Sequence, residues 1–401
     1  MGARAARDRT PAAHAQPPEL RRSGCAPDAA AAAGRVAHLY VHLPFCAHRC
    51  GYCDFVTVVG RRGAHDGYVA SLLRELELHS HLLAAEVESV YLGGGTPTLL
   101  RRSALERLLA GLPAAQEVTV EANPETVTAE LAQLLRRNGV TRVSIGAQTF
   151  HMHLLDVLER RARPEDVKRA VYTVRNAGFD NVSLDLIYGI PGQTPADLAC
   201  DLDEALALEP EHVSAYELEA KSGTRFTHRH GRELEHRAES MEGYFEQVTG
   251  TLTAAGYRWY ETANFCRLDR DRDLRCRHNL GYWLGRDYVG LGVGAVTTIE
   301  NTRWRNTPSL ARYVGALTAG TPSPPPREVE PLPVDVRRTE RVMLGLRLDE
   351  PLPLAGLESA LDARELARLA GLGLVERRTG TVTLTRRGRF LGGGVTARLL
   401  A

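Results

Sequence analysis

The feature that most constrains this chain is a series of six β-then-α units between residues 38 and 216. Short β-branched runs at Leu39–Leu43, Ser89–Leu92, Val118–Glu121, Arg142–Ile145, Val182–Leu186 and His212–Tyr216 read as strands, and amphipathic helical stretches lie between them. Val69, Leu72, Leu73, Leu76 and Leu83 keep helical spacing. Thr128 and Thr194 stand at N-cap positions, Asp197 follows Thr194 by three residues, and Gly139 and Gly178 stand where helices end. Right-handed crossovers between successive strands predict a parallel sheet curled into a full or partial barrel. Such barrels carry their chemistry in the loops that follow the strand C-termini.

The pattern changes after Tyr260. Residues 263–320, rich in aromatics, Arg and Gly, read as an extension, and the Pro-rich stretch 321–334 reads as a linker that cannot continue a helix. Beyond it, helices near Arg338–Leu348 and Glu365–Leu369 precede a hairpin turned at Thr379-Gly380, so residues 335–401 suggest a small winged-helix-like α+β module. Residues 1–35 mix Arg, Pro, Ala and acids without periodicity, which predicts a disordered arm ahead of a barrel spanning 36–262.

Composition excludes several function classes. The 50 Lys and Arg against 49 Asp and Glu leave a net charge of +1, which is not the footprint of a dedicated nucleic-acid binder. All of those cations but Lys168 and Lys221 are arginine, a bias that points to a GC-rich genome. No run is long and apolar enough for a membrane span, so the expectation is a cytoplasmic protein whose membrane contact, if any, is peripheral. Of seven cysteines, Cys46, Cys50 and Cys53 crowd together in a C-x3-C-x2-C loop just after the first strand. In a reducing compartment that crowding points to a metal site. Either an iron–sulfur cluster or a structural zinc, completed by His38, His42 or His48, satisfies the donor types. Zinc sites usually pair two separated knuckles, which favours the cluster.

Each strand end carries a further motif. Gly93-Gly94-Gly95 lets backbone amides approach a ligand that side chains would block, although a tight bend explains it as well. Glu121 and Asp185 are carboxylates in otherwise apolar runs, so each needs a hydroxyl or cationic partner, and an ion pair with Arg is the plain alternative.

Tyr40-Val-His-Leu-Pro-Phe-Cys46-x3-Cys50-x-Tyr52-Cys53-Asp-Phe resembles the opening of radical S-adenosylmethionine (SAM) proteins. The branch it resembles holds the anaerobic coproporphyrinogen III oxidase and the heme chaperone HemW. The likeness continues through Gly93-Gly-Gly-Thr-Pro-Thr98, Glu121-Ala-Asn-Pro-Glu125, Arg142-Val-Ser-Ile-Gly-Ala-Gln148, Asp185-Leu-Ile-Tyr-Gly-Ile-Pro-Gly192 and Arg277-His-Asn-Leu-Gly-Tyr-Trp283. It implies a partial (β/α)6 radical SAM barrel with a C-terminal extension. Cys46, Cys50 and Cys53 would ligate a [4Fe–4S] cluster, and its unligated iron would chelate SAM. Gly94, Gly95 and Thr96 would meet SAM's amino acid part, Glu121 and Asp185 its ribose, Gln148 and Arg160 its polar groups. Tyr40 and Tyr52 would lie against cluster and cofactor.

The resemblance further associates His278, Tyr282 and Trp283 with heme, Cys276 being a rival ligand; without it, His278 reads as a core or helix-end residue. The oxidase has another cysteine two residues after the third ligand, where this chain has Phe55, as the chaperone pattern requires. Three positions depart from that pattern: Val56 replaces Asn, Val296 replaces His, and Ala162 ends an altered Leu158-Glu159-Arg160-Arg161 stretch. The implied function is a heme chaperone passing heme to apo-hemoproteins, with a low-potential electron donor for the cluster. The alternatives are a radical enzyme, either the oxidase or a two-SAM methyltransferase, and more remotely a zinc protein with a nucleic-acid-binding wing.

Overall fold

The computed structural model describes residues 36–219, 225–235, 238–320 and 323–400; the arm expected at 1–35 lies outside them. The six repeating units form one side-by-side run. Strands β1 (His38–Leu43), β2 (Val87–Gly94), β3 (Ala115–Ala122), β4 (Arg142–Gln148), β5 (Val182–Tyr188) and β6 (His212–Glu217) are parallel and adjacent in chain order. Each covers the predicted run and lengthens it. The helices between them include α1 (His65–His79), α2 (Arg102–Gly111), α3 (Ala129–Arg137), α4 (Met152–Val157), α5 (Pro164–Asn176) and α6 (Pro195–Ala207). Thr128 caps α3 through Leu131 N–H, and Thr194 with Asp197 closes a capping box on α6.

Parallel strands covered on both faces normally read as continuous apolar runs. These alternate instead. In β1, Leu39, Val41 and Leu43 are fully buried in the main apolar core with helix residues such as Leu72 and Leu105. His38, Tyr40 and His42 lie on the opposite face, and Tyr40 stands in register with Tyr91 of β2, which faces Thr119 of β3, which faces Arg142 of β4. One face of the sheet is therefore polar across its width. The helices seal the apolar face, and the polar face lines the barrel interior, giving it a site in place of a packed hydrocarbon core.

The barrel stays open. Short antiparallel strands β7 (Tyr257–Trp259) and β8 (Asn264–Arg267) extend the sheet beyond β6, and β9 (Val289–Leu291) joins β1 in parallel at the other edge. Residues 263–320 thus contribute one strand on each side of the six-stranded run. Gly290 of β9 is obligatory: a Cβ there would sit 2.1 Å from Val296 O.

Strands β10 (Val296–Ile299), β11 (Thr302–Asn306) and β12 (Arg327–Pro331) form a separate antiparallel sheet. Strand β12 corrects the reading of 321–334 as a linker. Proline excludes helix there, but β12 is an edge strand, where a missing N–H is tolerated. The C-terminal module matches its expectation. Strands β13 (Leu352–Pro353), β14 (Val375–Arg378) and β15 (Thr381–Leu384) pack with helices that include Val334–Gly345 and Ala363–Gly371 around Val342, Leu366, Val382 and Leu399. The hairpin turns at Thr379-Gly380, with Gly380 at φ +71°. Arg389 docks the module on the barrel, stacking 3.6 Å from the Trp259 ring centroid and donating to Trp259 O.

Candidate cluster and cofactor site

The cysteine loop leaves the end of β1 and is closed at its base by a short parallel pairing of Phe45–Cys46 with Val58–Val59. Phe45, 1% exposed, anchors it against His65 and Tyr68. Cys53 N–H donates to Cys50 O at 3.2 Å, which turns the loop so that Cys46, Cys50 and Cys53 all line one cavity of about 410 Å³ at the strand C-termini. All three thiols are free and partly exposed. Burial pushes Cys46 up to about 11 and raises Cys53 as well, so a metal must displace protons to bind. Among the described residues no three His, Cys, Asp or Glu side chains converge to hold a single metal ion. A cubane, whose thiolates each take a different iron, suits a more open set of donors facing one space.

The opposite wall is made of backbone and carboxylates. At Gly93 a Cβ would meet the Glu121 carboxyl at 2.8 Å, at Gly94 (φ +104°) the His42 ring at 2.3 Å, and at Gly95 the Leu43 carbonyl at 2.7 Å. The three glycines therefore let β2 approach both its neighbours and the cavity. Glu121 accepts from Tyr91 Oη at 2.9 Å and from Gly94 N–H at 3.0 Å. Burial raises its carboxyl to about 7, with the charge of Asp185 adding to the rise. Asp185, also raised by burial, is held by the hydroxyls of Ser144 and Ser214. Neither carboxylate makes an ion pair with another described residue, so the plain alternative of a structural Arg pair is not what the geometry contains.

Gln148 ends β4 at φ +66°, beside a register shift in the β4–β5 pairing. A left-handed non-glycine residue at a cavity edge carries strain that surrounding structure must hold. Arg160 donates to Asn123 Oδ1 (2.9 Å) and Gly146 O (3.1 Å), and its Nη1 lies 3.9 Å from Cys50 Sγ. Its Nε is buried with no partner. Thr96 Oγ1 points at Cys46 Sγ from 3.9 Å. Two buried carboxylates with no ion-pair partner within 4 Å among the described residues, a glycine cradle and a guanidinium whose Nη1 lies 3.9 Å from Cys50 Sγ suit a polyhydroxylated, zwitterionic cofactor beside a cluster.

Of the expected SAM residues, Tyr52, Gly94, Gly95, Thr96, Glu121, Gln148, Arg160 and Asp185 line this cavity. Tyr40 does not. It stands behind the wall, bonded to His42 Nδ1 at 3.0 Å and stacked on Tyr91. The sequence reading missed Tyr91, which braces Glu121, and Asn123, which bridges Arg160 and Thr96. The alternation along β2 puts Tyr91 on the same face as Gly93, and that signal was sufficient to find it.

The structure does not bring the expected heme residues to the cavity. His278, on the short helix Arg277–Trp283, is 2% exposed and sits under the barrel floor, stacked on Tyr91 and Tyr40. Its Nδ1 is bonded to Ser89 Oγ and its Nε2 to Tyr282 Oη. Burial, and after it His38, holds the imidazole down at about 3. An iron at either nitrogen would displace one of these bonds, so His278 does not fit an axial ligand in this conformation. Cys276 is wholly buried against Glu117. Trp283 lies under the Arg347 guanidinium at 4.4 Å. Val56, one of the departures from the family pattern, stands against Gly294, where a Cβ would lie 2.7 Å from its Cγ2.

Residues 40–205 match the model of the Radical SAM superfamily, and residues 332–391 match the HemN C-terminal domain. The heme chaperone HemW of Mycobacterium tuberculosis (strain CDC 1551 / Oshkosh) is 39% identical over 379 residues, 92% of this chain and 95% of that protein. The heme chaperone HemW of Bacillus subtilis (strain 168) is 32% identical over 384 residues, 90% of this chain and 98% of its own. Among solved structures, coproporphyrinogen III oxidase (HemN) from Escherichia coli superposes with a TM-score of 0.76 at 24% identity, covering 91% of this chain and 90% of that one, which is a likeness of fold.

Proposed function

This chain belongs to the heme chaperone HemW family within the radical SAM superfamily, and from that premise we propose that it binds heme and hands it to apo-hemoproteins. The observation that carries the reading is similarity across both the barrel and the C-terminal module, 92% of the chain at 39% identity. Phe55 supports it: the position where the oxidase branch has a further cysteine is a side chain 62% exposed at the cavity rim.

Cys46, Cys50 and Cys53 would hold the [4Fe–4S] cluster, which supplies an iron with no protein ligand and a low-potential electron. Gly94 and Gly95 present backbone to the amino acid part of SAM, with Thr96 beside them. Glu121 and Asp185 accept from its ribose hydroxyls, and Gln148 and Arg160 orient its remaining polar groups. Tyr52 closes the cavity near the cluster, and Tyr40 supports Tyr91 from behind. The protein would work in the cytoplasm with a low-potential donor, meeting membranes only peripherally; no helix among the described residues is long and apolar enough to cross one.

Glu121 gives this reading a pH signature. Its folded value of about 7 lies above the ordinary 4.5, so the cofactor-free fold takes up a proton between those values and loses stability as pH rises through that window. Accepting a ribose hydroxyl in addition to Tyr91 Oη and Gly94 N–H needs the ionised form. SAM affinity should therefore rise by about tenfold per pH unit up to about 7 and level off above it. Calorimetry on reconstituted protein at pH 6 and 8 checks this; equal affinities would remove Glu121 from the ribose. The chaperone reading itself is tested by titrating heme into anaerobically reconstituted protein. A saturable Soret change is expected, and its absence contradicts the reading.

A further inference from the structure

A second cleft, about 360 Å³, lies away from the cluster cavity, between the end of the His278 helix and the helix Val334–Gly345 that opens the C-terminal module. Its walls are unlike those of an ordinary surface groove. Arg337, Arg338 and Arg341 come from one helix, with Leu344 and Leu357 beside them and Gly285 opposite.

Most of the charge there is already matched. Arg337 pairs with Asp287 at 2.7 Å, Arg338 with Asp335 at 3.0 Å, and Glu340, also on the wall, with Arg303 at 2.8 Å. Glu300 contributes an exposed carboxylate at the rim. Arg341 is the exception. Its only hydrogen bond to a described residue is Nη1 to Trp283 O at 3.4 Å, long for a helix-end cap, and no described carboxylate pairs with it.

Room has been made for that side chain. A Cβ on Gly285, which holds φ +65°, would lie 2.8 Å from Arg341 Cδ, and one on Gly345 would lie 2.6 Å from its Nη1. Two glycines on two different elements thus seat a half-buried guanidinium whose remaining donors have no protein acceptor among the described residues. Burial, with Arg286 nearby, lowers its affinity for the proton, which marks a cation short of a counter-charge. None of its unpaired donors is sealed from solvent, so they open on the cleft, where an anion can reach them.

We infer that this cleft takes a carboxylate of an amphipathic ligand: one propionate of heme, anchored by Arg341 and flanked by Leu344 and Leu357. A guanidinium matches a carboxylate through parallel N–H bonds, and the apolar wall accommodates the adjoining edge of the macrocycle. The cleft is too small for a whole porphyrin, so the rest of the ring would project from it. The inference rests on the heme-chaperone reading, and it ties the motif ending at Trp283 to heme through backbone and neighbouring charge without asking His278 to leave the core.

The test compares heme with its dimethyl ester, which lacks free carboxylates, on reconstituted wild type, Arg341→Met and Arg341→Lys, with SAM binding as the control for folding. Heme affinity should fall by about tenfold to a hundredfold in Arg341→Met, recover substantially in Arg341→Lys, and the ester should bind wild type no better than heme binds Arg341→Met. Equal heme affinity in wild type and Arg341→Met, or ester binding as tight as heme, overturns the site while leaving the chaperone reading intact. Wild type that binds no heme removes both.

Discussion

Replacing any one of Cys46, Cys50 or Cys53 by alanine should abolish the brown absorbance of the anaerobically reconstituted protein, whereas Cys200→Ala should leave it unchanged. The three loop thiols are partly exposed and face one cavity. Cys200 is exposed on α6 and lines no part of it. Cys266 and Cys276 cannot substitute, because both are buried and burial pushes each thiol up to about 12. A cubane with two protein thiolates has a second unprotected iron, open to water and oxidants. Iron and acid-labile sulfide analysis alongside the visible spectrum reads the effect, and a cluster that survives loss of any of the three overturns the ligand assignment.

Gly94→Ala should be nearly as damaging, for a different reason. The residue holds φ +104°, which L side chains rarely adopt, and the new methyl would lie 2.3 Å from the His42 ring. That ring cannot step aside freely, because Tyr40 Oη and Val56 O hold its two nitrogens at 3.0 and 2.9 Å. Displacing it would disturb the base of the cysteine loop, and moving Gly94 instead would break its N–H bond to Glu121. The expected cost is roughly 2–4 kcal/mol of stability, with SAM affinity down by about a hundredfold or more. Gly315→Ala is the control: nothing lies within 4 Å of its Cβ, it sits inside the helix Leu310–Thr318, and the substitution should be neutral or stabilising by up to about 1 kcal/mol. Denaturant unfolding and SAM calorimetry on both variants decide it; a Gly94→Ala protein with wild-type values contradicts the cradle.

Much of this was legible beforehand because local and global signals agree. The six strands announce themselves through β-branched runs, the helices through Thr128, Thr194 and the glycines that end them, and the site through motifs that each close a strand. What stayed hidden depends on contacts distant in sequence. Strands β7, β8 and β9 are three or four residues long and exist because the sheet edge offers partners, a tertiary effect that no short window carries. Strand β12 hides behind prolines that an edge position tolerates. His278 is the sharpest case: its helix could have presented it outward, and Ser89, 189 residues away, together with the stacked rings of Tyr40 and Tyr91 fixes it beneath the barrel. The same applies to Arg341, whose arginine-rich helix resembles a solvated face until Gly285 and Gly345 close around it.

The central claim, that this chain carries heme for delivery, is tested most directly by mixing heme-loaded, cluster-reconstituted protein with SAM, reductant and an apo-cytochrome, and following the acceptor's Soret band and activity. The account predicts that heme moves to the acceptor and that coproporphyrinogen III, offered in parallel, yields no protoporphyrinogen IX. Heme that stays on this protein while coproporphyrinogen III is decarboxylated would contradict it.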